Sequence, residues 1–437
     1  MKFSVLFIAI SLCISGQLQA QNLYFPPLVG DTWEQMSSRD AGYCDSGLAS
    51  LDSILEAKNS KAFILLKDGK IVHEQYFGSF TQDSLWLWNS AGKTMTAALV
   101  GIAQQENLLN VTDATSTYLG TGWTSAPSSK EDLITIWHQL TMTSGLDYNT
   151  GDAFCTEPAC LLYLADAGSR WSYHNGPYTL LDSVIEVTSG QIINTFFRTR
   201  LRNKTGITGL YLRFGYNNVF ISSPRSMARF GLLTLNKGIW DTDPILTDTG
   251  YIRQMTSTSQ NINPSYGYLW WLNGKSSYRL PGSQIDFPGS IAPSAPSDAY
   301  AALGKDGQII TVIPSTNEVW IRMGESPDGS GQLVANILFE DISKAIEEAR
   351  CTSSASTQLS PKPAFSLKTN PVYNQLQLQA TDNLKTVEII DVNGRSIRSV
   401  SNNLSLPIDV ANLPQGQYTV IGWRADGQGS AKHFIKL

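Results

Sequence analysis

Ser90 and Lys93 stand three residues apart in Ser90-Ala91-Gly92-Lys93, so on a helix they share one face, one turn from each other. A neutral lysine amine in that position can take the hydroxyl proton while the serine oxygen attacks a carbonyl. This is the only Ser-x-x-Lys in the chain, although serine is frequent enough that spacing alone is a weak signal. Context strengthens it. Met95, Leu99 and Ile102 follow at i, i+4 and i+7, the pattern of a buried helix. The serine then lies at a helix N-terminus, where unpaired N–H groups and the helix dipole favour developing negative charge. The plainer reading is a polar N-cap followed by an incidental lysine. A histidine-based nucleophile has little to draw on: there is no Gly-x-Ser-x-Gly elbow, and the histidines are His73, His138, His174 and His433. No zinc-protease helix or phosphate loop occurs either.

The elements that must position this pair are readable around it. An amphipathic helix is predicted over residues 47–60 (Leu48, Leu51, Ile54, Leu55), then strands Ala62–Leu66 and Ile71–Phe77 about the Asp68-Gly69 turn. A mostly helical stretch runs from Lys93 to about Leu235. Strands are predicted again at Gly267–Leu272, Tyr300–Gly304, Gln308–Pro314 and Glu318–Met323, before a closing helix Leu333–Arg350. Strands at both ends with helices between imply one antiparallel sheet built from distant segments and a separate helical lobe: an α/β (α+β) domain with a cleft between its parts.

Composition sets further bounds. The chain has 437 residues and a net charge of −5, which offers no basic surface for nucleic acid. Residues 1–20 read as a signal peptide: Lys2, the apolar run Phe3–Ile14, then Gly16–Ala20 as a cleavage region. That run is too short to span a bilayer, and no later segment is long enough. Cys13 belongs to it, which leaves Cys44, Cys155, Cys160 and Cys351 in an oxidising compartment. The even count suggests two disulfides, Cys155 with Cys160 around a short loop and Cys44 with Cys351. A metal site fits poorly, because neither Cys-x-x-Cys nor paired histidines occur, and no cofactor is expected. Residues 353–365 have linker composition, and beyond them Leu376-Gln-Leu-Gln, Val387-Glu-Ile-Ile and Tyr418-Thr-Val-Ile alternate between turns at Asn393-Gly394 and Pro414-Gln415-Gly416, as in a small Ig-like β-sandwich. The expected layout is therefore a signal peptide (1–20), a main domain (21–352), a linker (353–365) and a β-sandwich (366–437).

From Leu48 to Arg350 the chain resembles the serine β-lactamase and penicillin-binding-protein superfamily, in its class C and esterase-like branch. Three segments carry the resemblance: Ser90-x-x-Lys93; Leu140-Thr-Met-Thr-Ser-Gly-Leu146; and Tyr173-His174-Asn175, similar to the family's Tyr-x-Asn. Met227–Gly231 and Tyr266–Trp271 are also similar to this branch. The resemblance implies Ser90 as nucleophile, Lys93 as base, Tyr173 as the group that shares and passes on the proton, and Asn175 as a group that orients Lys93 or a substrate amide. Tyr266, Trp270 and Trp271 could line an apolar acyl pocket or simply fill the core. The chain departs from the family at the third motif, Lys/His-Thr/Ser-Gly, whose side chains bind a substrate carboxylate. Either Ala302-Leu303-Gly304 or Lys305-Asp306-Gly307 occupies its place. The first is preferred, because Asp-Gly signals a turn and the motif should lie on a strand. In that register the N–H groups of Ser90 and Lys305 form the oxyanion hole beside Gly304.

Without that carboxylate grip, a neutral ester or amide fits better than a β-lactam or a D-amino-acid peptide. The alternatives are a D-amino-acid peptidase or β-lactamase, and a catalytically silent binding protein on the same fold. Residues 366–437 resemble the type IX (Por) secretion sorting domain, through Asn370–Leu376, Ile390–Arg395, Leu413–Tyr418 and Lys432–Lys436. That implies recognition by the secretion machinery and a secreted or outer-surface protein of a Bacteroidota-like Gram-negative bacterium, exported through the periplasm.

Overall fold

A computed structural model describes residues 23–328, 335–351, 365–380, 384–391, 395–401, 407–424 and 429–437. The expected signal peptide, nearly all of the linker and the Asn393-Gly394 turn lie outside them. The chain divides into two compact units, at the junction of Cys351 and Thr352.

The first unit is organised by a six-stranded antiparallel sheet. Its strands are β1 (Ser60–Lys67), β2 (Lys70–Tyr76), β6 (Trp271–Leu272), β7 (Tyr300–Gly304), β8 (Gln308–Ile313) and β9 (Glu318–Gly324), in the order β2-β1-β9-β8-β7-β6. A short ribbon, β3 (Trp86–Leu87), β4 (Leu210–Phe214) and β5 (Asn217–Ser222), forms a separate sheet with β5 at its centre. Sequence order and sheet order differ because β1 pairs with β9 from the far end of the domain, Leu65 opposite Trp320. The side-chain alternation of β9 serves two faces. Val319 meets α4 (Pro224–Leu235), where a Cβ on Gly231 would lie 2.5 Å from its Cγ1, whereas Trp320 turns to Phe339 of α5 (Ala335–Glu348), ring centroids 5.8 Å apart. Helix α1 (Asp45–Ala57) packs beside α5, and Cys44–Cys351 ties the N-cap of α1 to the last residue of the unit.

The helical lobe centres on α2 (Lys93–Gln105) and α3 (Asn175–Ser189), which pack together. Every α2 residue from Lys93 to Ala103 is buried, so this helix is enclosed on all sides rather than amphipathic. Burial of Met95, Leu99 and Ile102 contributes about 1.5–3 kcal/mol each.

The mostly helical middle also carries the ribbon β4–β5; Gly215, at φ 60°, makes its tight turn. One expectation is corrected. The strand expected from Gly267 is only Trp271–Leu272. Gly267 N–H bonds Trp270 O in a reversal, and a Cβ at Gly267 would lie 2.2 Å from Met255 O.

The second unit is all β. A four-stranded antiparallel sheet is made of β10 (Leu384–Ile390), β11 (Ser396–Ser401), β12 (Gly416–Arg424) and β13 (Gly429–Lys436), with β10 and β12 central. Two further two-stranded pairs complete it, over a core that includes Phe365, Leu376, Val387, Ile389, Val420 and Phe434.

Candidate active site

Ser90 sits in a 3-10 turn, Asn89–Gly92, that leads directly into α2. Trp88 anchors the turn: its N–H bonds Phe220 O (2.9 Å), its Nε1 bonds Ser222 Oγ (2.8 Å), and its ring meets Phe220 edge-on at 4.9 Å. Asn89 adopts φ 49°, a left-handed conformation that asparagine tolerates better than most residues. Gly92 lies so close to β5 that a Cβ would be 3.1 Å from Phe220 Cβ. The nucleophile candidate is thus held half-buried on a braced turn at the start of the helical run.

Lys93 Nζ lies 3.2 Å from Ser90 Oγ. The ammonium is almost wholly buried and packs over two rings, Tyr178 at 4.3 Å and Tyr173 at 5.2 Å. Burial pulls its pKa down to about 7, against the opposing charge of Asp182. Burial likewise raises the Tyr173 phenol well above its usual value, while a hydrogen bond with Ser90 works the other way. Ser90 is therefore within hydrogen-bond reach of both a lysine able to be neutral near pH 7 and a protonated phenol.

The neighbouring strand closes on this turn. Gly304 ends β7, and a Cβ there would lie 2.5 Å from Trp88 O and 2.9 Å from Ala91 N. Asn89 Nδ2 bonds Lys305 O at 2.9 Å. Ala302-Leu303-Gly304 lies on the strand, whereas Lys305-Asp306-Gly307 is the reverse turn after it, with Asp306 at φ 61° and the Lys305 side chain exposed. That turn is pinned from behind by Arg322, which is fully buried and donates to Asp306 O, Gly307 O, Lys58 O, Glu325 O and Ser60 Oγ.

The other expected residues fall as follows. Tyr173 stacks on Trp271, ring centroids 6.1 Å apart and 17° between planes, and Trp171 and Tyr266 complete this aromatic wall. Trp270 points the other way, between Phe230 and Tyr300, and is core. Asn175 is the first residue of α3 and His174 its N-cap. Asn175 Oδ1 is buried without a hydrogen-bond partner among the described residues, so the structure does not bring it onto Lys93. Cys155 is bonded to Cys160, and this loop lies against Gly176, where a Cβ would be 2.3 Å from Cys155 O. His73 does bond Asp52 at 2.7 Å, but on edge strand β2, four places from β7 in the sheet. Surface clefts of about 590 and 550 Å³ lie elsewhere, the first lined by residues such as Gln104 and Asp248, the second by residues such as Trp33 and Arg225. Neither contains Ser90. No cluster of three or more potential metal ligands occurs among the described residues.

Sequence reasoning missed Tyr178 and Asp182. Both face α2: Tyr178 under Lys93, and Asp182 bonded to Thr96 Oγ1 (3.2 Å) and Asn218 Nδ2 (2.8 Å). The spacing Asn175, Tyr178, Asp182 (i, i+3, i+7) was the available signal that all three share one helical face.

A buried lysine touching a helix-start serine, with a tyrosine beside the serine and an antiparallel strand alongside, is thus set in a mixed α/β domain of β-lactamase-type fold. Residues 55–337, more than half of the chain, match the Beta-lactamase family, and the chain belongs to it. Residues 369–436 match the secretion system C-terminal sorting domain. Among solved structures, the fold is similar to a Bacillus anthracis protein assigned as a 6-aminohexanoate-dimer hydrolase (17% identity, TM-score 0.57, covering 75% of this chain and 89% of that one). It is also similar to a penicillin-binding protein homologue of Caulobacter crescentus (13%, 0.53, 70% and 99%) and to simvastatin synthase of Aspergillus terreus (12%, 0.52, 70% and 98%). No curated protein matches the chain.

Proposed function

We propose that this protein is an exported serine hydrolase that cleaves a small, neutral ester or amide through an acyl-enzyme on Ser90. The observation that carries the reading is the buried Lys93 amine, its pKa drawn down to about 7, at 3.2 Å from Ser90 Oγ. Ser90 Oγ attacks the carbonyl carbon as its proton passes to Lys93 Nζ. The oxyanion is received by the N–H groups of Ser90 and Lys305 beside Gly304. Collapse of the tetrahedral intermediate expels the alcohol or amine, protonated through Tyr173. Water then repeats the attack on the acyl-enzyme, and the serine regains its proton. Asn175, with an unpaired buried oxygen, is suited to accept an N–H of an amide substrate, and Trp271 backs the acyl side through Tyr173.

The preference for a neutral substrate rests on β7. Ala302 and Leu303 offer apolar, buried side chains where the family places a cation and a hydroxyl. The exposed ammonium of Lys305 at the strand's end is the one feature that favours the peptidase or β-lactamase reading. Steady-state kinetics on p-nitrophenyl acetate, a p-nitroanilide and a penicillin separate the two. Ester or anilide turnover lost in Ser90→Ala, with the penicillin untouched, is the expected result; efficient penicillin opening would overturn the neutral-substrate assignment. The C-terminal unit is proposed to act as the type IX export signal that delivers the hydrolase to the outer surface or the medium.

A further inference from the structure

Asp182 is a carboxyl group in the middle of the helical lobe that makes no ion pair within 4 Å among the described residues. It is almost wholly buried, and its hydrogen bonds come from Thr96 on α2 and Asn218 on β5, both neutral. Thr96 is one turn along α2 from Lys93, and its hydroxyl also lies 3.1 Å from Tyr211 OH of β4. Tyr178 stands between the two ionisable groups: its ring is under Lys93 Nζ, and its phenol hydrogen-bonds Thr96. A carboxyl placed only to brace α2 against β5 is chemically extravagant, since burying a charge is costly and an amide makes the same contacts.

We infer that Asp182 is a positioning residue for the proton on Lys93: when ionised it favours the ammonium across the Tyr178–Thr96 layer, and so sets the lowest pH at which Ser90 can be activated. This rests on the hydrolase reading above. Burial pushes the Asp182 carboxyl up to about 7, the same range in which Lys93 changes charge. The groups that face the pair are few. On Asp182 act Glu186 and Tyr178 from its own helix, Arg213 and Tyr211 from β4, Asn218 from β5, and Thr96 and Lys93 from α2. On Lys93 act Ser90, Tyr173, Tyr178 and Asp182. The sign follows directly. A nearby anion favours the charged amine, so removing it lets Lys93 lose its proton at lower pH.

Asp182→Asn keeps the shape and both bonding partners, because Asn218 can turn its amide to offer oxygen. The test uses the full chain with lysine carrying 13C at Cε. The Lys93 resonance is identified by its loss in Lys93→Arg, and its titration midpoint is compared between the wild type and Asp182→Asn. The midpoint is expected to fall by about one pH unit. The acid limb of kcat/KM for p-nitrophenyl acetate should move with it. Asn218→Ala, at a half-buried position, removes one donor to the carboxylate and should move the midpoint the same way by less. Unchanged midpoints in both variants would overturn the inference. A shifted midpoint without any Ser90-dependent ester turnover would instead leave the proton coupling standing and defeat the hydrolase reading.

Discussion

Ser90 is reactive only while Lys93 can receive its proton, so the residue-scale account predicts a pH profile. Lys93 must be neutral, its pKa is drawn down to about 7, and kcat/KM should therefore rise with pH through about 7 and level above it. Rate profiles in buffers from pH 5 to 9 check this. Lys93→Met removes the base and Tyr173→Phe the proton relay, and each should lower kcat by about 10²–10⁴-fold with the protein still folded by circular dichroism. Ser90 and Lys93 were legible because spacing along one helix is visible in a sequence. Tyr173 beside Ser90 was legible through motif likeness alone, and the same likeness pointed to Asn175, which makes no bond to Lys93 among the described residues. Tyr178 and Asp182 were not singled out, since a tyrosine and an aspartate on a partly apolar helix read as ordinary core and surface until α2 is seen to bury them.

At the scale of elements, the site is the junction of a turn with a strand end, and two predictions belong there. Gly304→Ala would force a Cβ to 2.5 Å from Trp88 O, so either β7 or the Ser90 turn must move. The expected cost is about 1–3 kcal/mol of stability together with lower kcat/KM, read by urea denaturation and ester turnover. Arg322→Met would strip four carbonyls and Ser60 of a buried donor, including the Asp306 and Gly307 carbonyls of the turn after Gly304. It should cost about 3 kcal/mol or more. The hairpin β1–β2 and the strands β7 to β9 were legible from their turn residues and apolar runs. The ribbon β4–β5 was not, because its short alternating segments are embedded in a helical stretch. The strand expected from Gly267 shrank because a close approach to Met255, invisible in sequence, bends it.

On the scale of the whole molecule, the first unit is closed by Cys44–Cys351, at a sequence separation of 307, while Cys155–Cys160 has a separation of 5. Chain-entropy arguments give the longer loop the larger effect. Replacing Cys44 and Cys351 by alanine should lower the unfolding free energy by about 2–5 kcal/mol in denaturant titrations. Both cysteine pairings could be read from an even count and their places along the chain, whereas the relation of the Cys155 loop to Gly176 needed the fold. The measurement that bears most directly on the central claim is the intact mass of the protein after exposure to a fluorophosphonate, p-nitrophenyl acetate or a penicillin, beside Ser90→Ala. A phosphonyl adduct and a transient acetyl adduct on wild type alone, with no penicilloyl adduct and no ring opening, is the predicted result. Absence of any Ser90-dependent adduct would contradict the account and favour a catalytically silent binding protein.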